Sequence, residues 1–248
     1  MIRQRALALL AGMALFAGLV TFIVVALITS WWLGLIAGLL VALAVGAFVY
    51  LRRDTLALSG IETRPLLVDE HPHVGNLVDG LCVANGFDRP ILEVLDSRGF
   101  NGLAVGSDSR DSRVVLTTGL LRNLDRLETE GVLSHLLTMS SSPDIGGLTL
   151  TAAILATIPV TRVGQSVLEW ILPEHFRIDT DLAAVGYTRY PPGFLSSLEK
   201  FQEGTTVVSD ARLANAHLWL ADPIGDPAVV TERIHPPLHL RVSVLREH

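Results

Sequence analysis

A mainly α-helical domain with a small antiparallel β-sheet, carried on an N-terminal transmembrane helical hairpin, is the fold this sequence predicts. Three observations lead to it. Half of the 248 residues are hydrophobic, yet residues 6–51 hold almost no polar side chains while the remainder has ordinary globular composition. The apolar stretch divides into two runs, Ala6 to Thr29 and Trp31 to Leu51, each about the ~20 residues that a helix needs to cross bilayer hydrocarbon. Beyond it, segments with apolar residues at helical spacing outnumber short β-rich runs. The chain thus divides into a membrane hairpin, residues 1–53, and one domain, residues 54–248, long enough for a sizeable core.

Ser30, the pair Trp31 and Trp32, and Gly34 mark the break between the two runs, and paired tryptophans suit a membrane interface. Arg3 and Arg5 precede the first run, Arg52 and Arg53 follow the second, and the turn carries no charge. The positive-inside rule then puts both termini and the domain in the cytoplasm, with the chain an integral protein of the cell membrane. A cleaved signal peptide fits less well: its apolar core would be too long, and a second run follows at once.

Charge is uneven. Residues 1–50 sum to +2, so the rest carries −8 of the total of −6. An acidic soluble part argues against nucleic acid as a partner. Cys82 is the single cysteine, which excludes an intramolecular disulfide and any zinc site built on several cysteines.

Within the domain, residues 54–64 read as a linker. Val74, Leu77, Val78 and Leu81 recur at helical spacing, and Gly86 stops that helix. Ile91 to Leu95, Leu103 to Val105 and Val114 to Thr117 are short β-rich runs broken by turn residues, which predicts the small sheet. Thr118 to Leu127 resumes helical structure. Leu127 to Met139 is an amphipathic helix with Val132, Leu133, Leu136 and Leu137 on its apolar face. Gly147 to Val160, at about 14 residues, is shorter than a span and reads as a buried helix or a membrane-dipping segment. Glu174 to Tyr187, Phe194 to Gln202 and Ala211 to Leu220 read as helices. A turn at His235, Pro236 and Pro237 leads into a last one. His71 and His73 read as solvated, and His217 and His239 as surface residues.

Four segments, in order, resemble the HtpX-like membrane metallopeptidases, which are related to the CAAX prenyl proteases. Phe100-Asn101-Gly102-Leu103-Ala104-Val105-Gly106 is similar to the family's Asn-Ala-Phe-Ala-x-Gly strand. Val114 to Leu121 is similar to the strand and turn before the zinc helix, and Glu128 to His135 to the start of that helix. His235-Pro236-Pro237-Leu238, followed by Arg241, is similar to the closing motif. The resemblance runs from about residue 60 to the end. It implies a zincin-like metallopeptidase domain and zinc-dependent endopeptidase activity at the membrane.

The chemistry that the resemblance implies requires H-E-x-x-H on a helix: two histidines one turn apart bind zinc, and the glutamate is the general base on the zinc-bound water. Here the stretch is His135-Leu136-Leu137-Thr138-Met139. Leu136 stands at the base and Met139 at the second ligand. A leucine takes no proton, and a thioether is a poor zinc ligand. The family's third ligand is a glutamate in a pattern like Arg-Glu-Phe-x-Ala-Asp. Anchoring on Phe176 and Asp179 puts His175 at that position, a slip of one puts Glu174 there, and anchoring on Asp181 puts Arg177 there, which cannot ligate. A vestigial metal set of His135, His175 and Glu174 can be drawn, with no base. Each residue also has a plainer role: His135 as a packed histidine, Glu174 and His175 as a helix start where an acid suits the N-terminal dipole, Met139 as core filler.

No G-x-S-x-G, P-loop or dinucleotide fingerprint occurs, and Ser140 to Ser142 reads as a loop. The chain is therefore expected to be a pseudopeptidase with no cofactor (zinc if any) that binds a protein partner or membrane-protein segment without cutting it. An active endopeptidase with non-standard ligands, and a purely structural membrane protein with its groove filled by Leu136 and Met139, are the alternatives.

Overall fold

In a computed structural model of the protein, which describes residues 1–67, 69–158 and 161–247, the two apolar runs fold as α1 (Ile2–Ile28) and α2 (Trp31–Leu51). Both are long and apolar enough to cross a membrane. Small residues set their contact. A Cβ on Gly18 would come within 2.7 Å of Gly38 O, and one on Gly38 within 2.6 Å of Gly18 O, so the backbones approach as only glycine allows. The 27 residues of α1 span roughly 40 Å, more than the ~30 Å of hydrocarbon. Its N-terminal surplus docks on the rest of the chain, burying Ile2, Ala6 and Leu10.

The expected strands form. The sheet is β1 (Thr63–Pro65), β2 (Ile91–Leu95), β3 (Gly102–Gly106) and β4 (Ser112–Thr117), in the order β1-β2-β4-β3. It is mixed and not wholly antiparallel, because β2 pairs with β4 in parallel, Ile91 opposite Arg113 through Leu95 opposite Thr117. The chain reaches that register by inserting β3 at the far edge, antiparallel to β4. The stretch read as a linker holds β1 and a short helix, α3 (Arg53–Ala57).

Helix α4 (Pro72–Asn85) buries Val74, Leu77, Val78 and Leu81 and ends at Gly86, whose φ of 70° needs the left-handed region. After β4 come α5 (Thr118–Asn123) and α6 (Arg126–Ser140). α6 begins in a capping box in which Asp125 and Glu128 each accept the other's backbone N–H. The apolar tract beyond it folds as α7 (Ile145–Ala156), largely buried; Pro159 and Val160 lie outside the described residues. α7 packs on α1: Gly147 sits against the Arg3 backbone, and Leu150, Ala153 and Ile154 cluster with Ala6, Leu10 and Val49.

The remaining helices are α8 (Thr161–Ile171), α9 (Phe176–Thr188), α10 (Pro191–Glu203), α11 (Leu213–Ala216) and α12 (Leu238–Arg246). α8 was not expected from the sequence, although Val163, Val167, Leu168 and Ile171 recur there at helical spacing. Of the helix expected over Ala211 to Leu220, only the short α11 forms. The chain then runs extended along β3, with Leu220 N donating to Gly102 O at 2.8 Å.

α6 and α10 lie backbone to backbone. A Cβ on Gly131 would come within 2.5 Å of Phe194 Cα, and one on Gly193 within 2.6 Å of Leu127 O. Gly131→Val should therefore cost about 1–3 kcal/mol, the range for overpacking a filled interface, read as a lower Tm in detergent. An unchanged Tm would mean that this contact relaxes freely.

Candidate functional site

α6 places His135, Leu136 and Met139 in the interior, all 0–1% exposed. Its register is fixed at the N-terminal end, where buried Glu128 accepts from Lys200 Nζ at 2.6 Å and Ser196 Oγ at 2.7 Å, both on α10. Lys200 is the chain's one lysine. Further along the helix, Ser134 Oγ donates to Ala184 O of α9 at 2.8 Å. The His135 ring stacks on Phe194, centroids 5.6 Å apart.

α9 presents Arg177 and Asp181, one turn apart, to this point. Asp181 is clasped by Arg241 of α12, whose Nε and Nη2 donate to the two carboxylate oxygens at 2.7 Å each. Arg241 Nη1 donates further to Leu220 O at 2.8 Å. His135 Nδ1 lies 2.8 Å from Asp181 Oδ1, off the line of its N–H bond, so the contact is electrostatic more than an aligned hydrogen bond. Burial favours the neutral acid, but the Arg241 guanidinium and His135 outweigh it and hold the Asp181 carboxyl down at about 2.

On its other side His135 meets Arg177. Nη1 of Arg177 lies 3.3 Å from His135 Nε2 and 3.3 Å from Met139 Sδ, and Nη2 donates to His217 O at 2.9 Å. Arg177 is 1% exposed. Burial, then the nearby Arg241, push it down to about 9, so it remains a cation at neutral pH. His135 must then accept at Nε2 and carry its proton on Nδ1, toward Asp181. Burial holds His135 at about 4, against the pull of Asp181.

Two further histidines complete the buried group. His217 Nε2 donates to Leu148 O of α7 at 2.9 Å, and His235 Nε2 to Ala216 O at 2.8 Å. His217, read from the sequence as a surface residue, is fully buried, because the chain turns from α11 into the strand-like run beside β3. Burial lowers His217 to about 4 and His235 well below its ordinary value.

The drawn metal set of His135, His175 and Glu174 is not brought together. His175 caps the N-terminus of α9 and Glu174 precedes it, both exposed, while His135 is sealed inside. Among the described residues no group of three or more His, Cys, Asp or Glu is placed to hold a metal ion. The physical reason is helical phase: Arg177, Thr180, Asp181 and Ala184 form the buried face of α9, and residues 174 and 175 precede it. Arg177 and Asp181, on that face, are the α9 residues that meet His135. A zinc ion does not fit these residues. At about 4 Å from a guanidinium, a divalent ion would meet a repulsion on the order of 8 kcal/mol at an effective dielectric of 20. Leu136 at the base position points away into the core, where a Cβ on Gly102 of β3 would come within 2.8 Å of its Cδ1. A hollow of about 210 Å³ opens beside Met139, lined by Thr138, Phe176, Thr180 and Ala183 among others.

The chain is similar over most of its length to curated proteins named Protease HtpX homolog. It is 26% identical to the one from Dictyoglomus turgidum, covering 86% of this chain and 82% of that protein. Identity is 27% with that of Dictyoglomus thermophilum, over 86% and 81%, and 22% with that of Streptococcus mutans, over 88% of each. No family model and no solved structure matches the chain.

The buried histidines make stability fall with acid. Unfolded, they take up protons as pH drops through the ordinary value of 6.5; folded, His135 and His217 resist until about 4. Stability attributable to them is full above 6.5 and declines between about 6.5 and 4, by up to about 3 kcal/mol per histidine. Asp181 acts lower, its contribution being lost only as pH falls toward about 2. Tm in detergent should therefore drop from pH 7 to pH 4.5, and less steeply in His217→Gln; a flat profile would contradict the burial argument.

Proposed function

We propose that this HtpX-like chain, a membrane metallopeptidase-like protein, is a pseudopeptidase that binds a protein partner or a membrane-protein segment without cutting it. One observation carries the reading: Leu136, at the position of the general base, is packed in the core against β3, where no acid could reach a water. The exclusion of a dication beside Arg177 supports it. So does the hollow beside Met139, at about 210 Å³ smaller than the ~300–1,000 Å³ of ordinary ligand pockets.

The binding role rests on the two apolar helices and on the docking of α1 to α7, which hold the domain against the bilayer. In this reading residues 1–53 are the anchor, and residues 54–248 and both termini lie in the cytoplasm, as the arginines flanking the hairpin favour. The surface available to a partner is then the membrane-proximal face of the domain together with the hairpin.

The test is metal content and proteolysis of the full chain purified in mild detergent. Zinc should be far below one per chain, equal in the parent and in His135→Ala, and an unfolded membrane protein should survive incubation intact. Near-stoichiometric zinc that disappears in His135→Ala, or cleavage abolished by that variant, would overturn the proposal in favour of an active enzyme. Leu136→Glu alone should restore neither zinc nor cleavage, and should lower Tm by burying a charge.

A further inference from the structure

The geometry points to Arg177 as a built-in cation that has taken the place of a metal ion, leaving a scaffold that will accept zinc once the guanidinium is exchanged. The inference rests on the reading of the chain as a decayed peptidase. His135 and Met139, one turn apart on α6, converge on a single point, and Nη1 of Arg177 occupies it, 3.3 Å from both donor atoms. The donors around the guanidinium are all neutral: an imidazole nitrogen, a thioether sulfur and the His217 carbonyl. These are lone pairs gathered on a positive centre, as in a coordination shell, and among the described residues no carboxylate forms a close ion pair with this cation. Asp181 is engaged elsewhere, against the opposite nitrogen of His135 and in the clasp of Arg241. A carboxylate beside the other ring nitrogen is an outer partner metal-bound histidines commonly have, although here the contact is electrostatic and not an aligned hydrogen bond. Here it serves a guanidinium instead.

The cross-link has the reach of a metal site. It ties α6, through His135 and Met139, to α9, through Arg177, and to the run after α11, through the His217 carbonyl. Glutamate is shorter than arginine by roughly the outer half of the guanidinium. Arg177→Glu would thus draw the side chain back, open an ion-sized gap beside His135 and reverse the local charge. Met139→His would supply a second nitrogen one helical turn from the first.

The experiment uses the full chain in mild detergent with four variants. Met139→His/Arg177→Glu should take up about one zinc per chain by elemental analysis, and its Tm should fall when a chelator removes the metal. Met139→His alone, with the guanidinium retained, should take up none. The parent chain should melt at the same temperature with and without chelator. Arg177→Gln, which loses the positive centre, should melt lower by on the order of 5 °C, with Arg177→Lys between it and the parent. Zinc in Met139→His equal to that in the double variant would overturn the inference, since the guanidinium would not be in the way. So would a double variant that stays zinc-free, whether folded or unable to fold with zinc present, or an Arg177→Gln chain as stable as the parent. Both variants built on Met139→His keep Leu136, so zinc loading is read apart from catalysis. Proteolysis by the unmodified chain would sink the pseudopeptidase reading and leave the metal counts to decide this one.

Discussion

Three helices meet at the carboxylate of Asp181. It is held from α12 by both arms of the Arg241 guanidinium, it faces the ring of His135 on α6, and it belongs to α9. A charged group this deeply buried is tolerated only when its lone pairs are filled, and losing one partner leaves the others uncompensated. The positions of α6, α9 and α12 are therefore not independent. Arg177 lies one turn away on α9, and its direction toward His135 follows from the same phase that points Asp181 inward. The site is the consequence of that phase more than of any single residue in it.

A second constraint joins the site to the hairpin. α7 lies against α1 along one side, through Gly147 and the cluster around Leu150 and Ala153, and reaches the interior along the other. Its Leu148 carbonyl accepts from His217, and Thr149 accepts from Gly106 N of β3 at 3.0 Å. One twelve-residue helix thus touches the membrane anchor, the sheet and the buried histidines. Small residues on α7 make this possible, because a side chain at Gly147 would strike the Arg3 backbone.

Much of this was legible in the chain itself. Local periodicity located the hairpin, α4, α6 and three of the four strands, since each of those elements carries its own apolar pattern whatever it packs against. It could not give the parallel pairing of β2 with β4, which depends on β3 being displaced to the edge. α8 was overlooked although Val163, Val167, Leu168 and Ile171 recur at helical spacing; it is a short run of 11 residues, set between Pro159 and Pro173. In the site, His135, Leu136 and Met139 are buried together on α6. The facing residue was ambiguous because Phe176, Asp179 and Asp181 each offer an anchor; the turn of α9 brings Arg177 and Asp181 to His135 and leaves residues 174 and 175 exposed. Arg241 stood out in the sequence as part of a closing motif; its grip on Asp181 needed α12 to be seen folded back over α9.

The packing around Arg177 also bears on how such a chain can change over generations. Building a metal-dependent catalytic centre at this point would take at least three substitutions, at Leu136, Met139 and Arg177, and each is unfavourable in the absence of the others. A glutamate at 136 would be buried against β3, a histidine at 139 would gain no metal beside a guanidinium, and a glutamate at 177 would leave a second buried carboxylate near Asp181 without a cation. No single step reaches such a centre. The guanidinium acts as a ratchet: while it fills the centre, substitutions can accumulate around it without bringing a metal site any nearer.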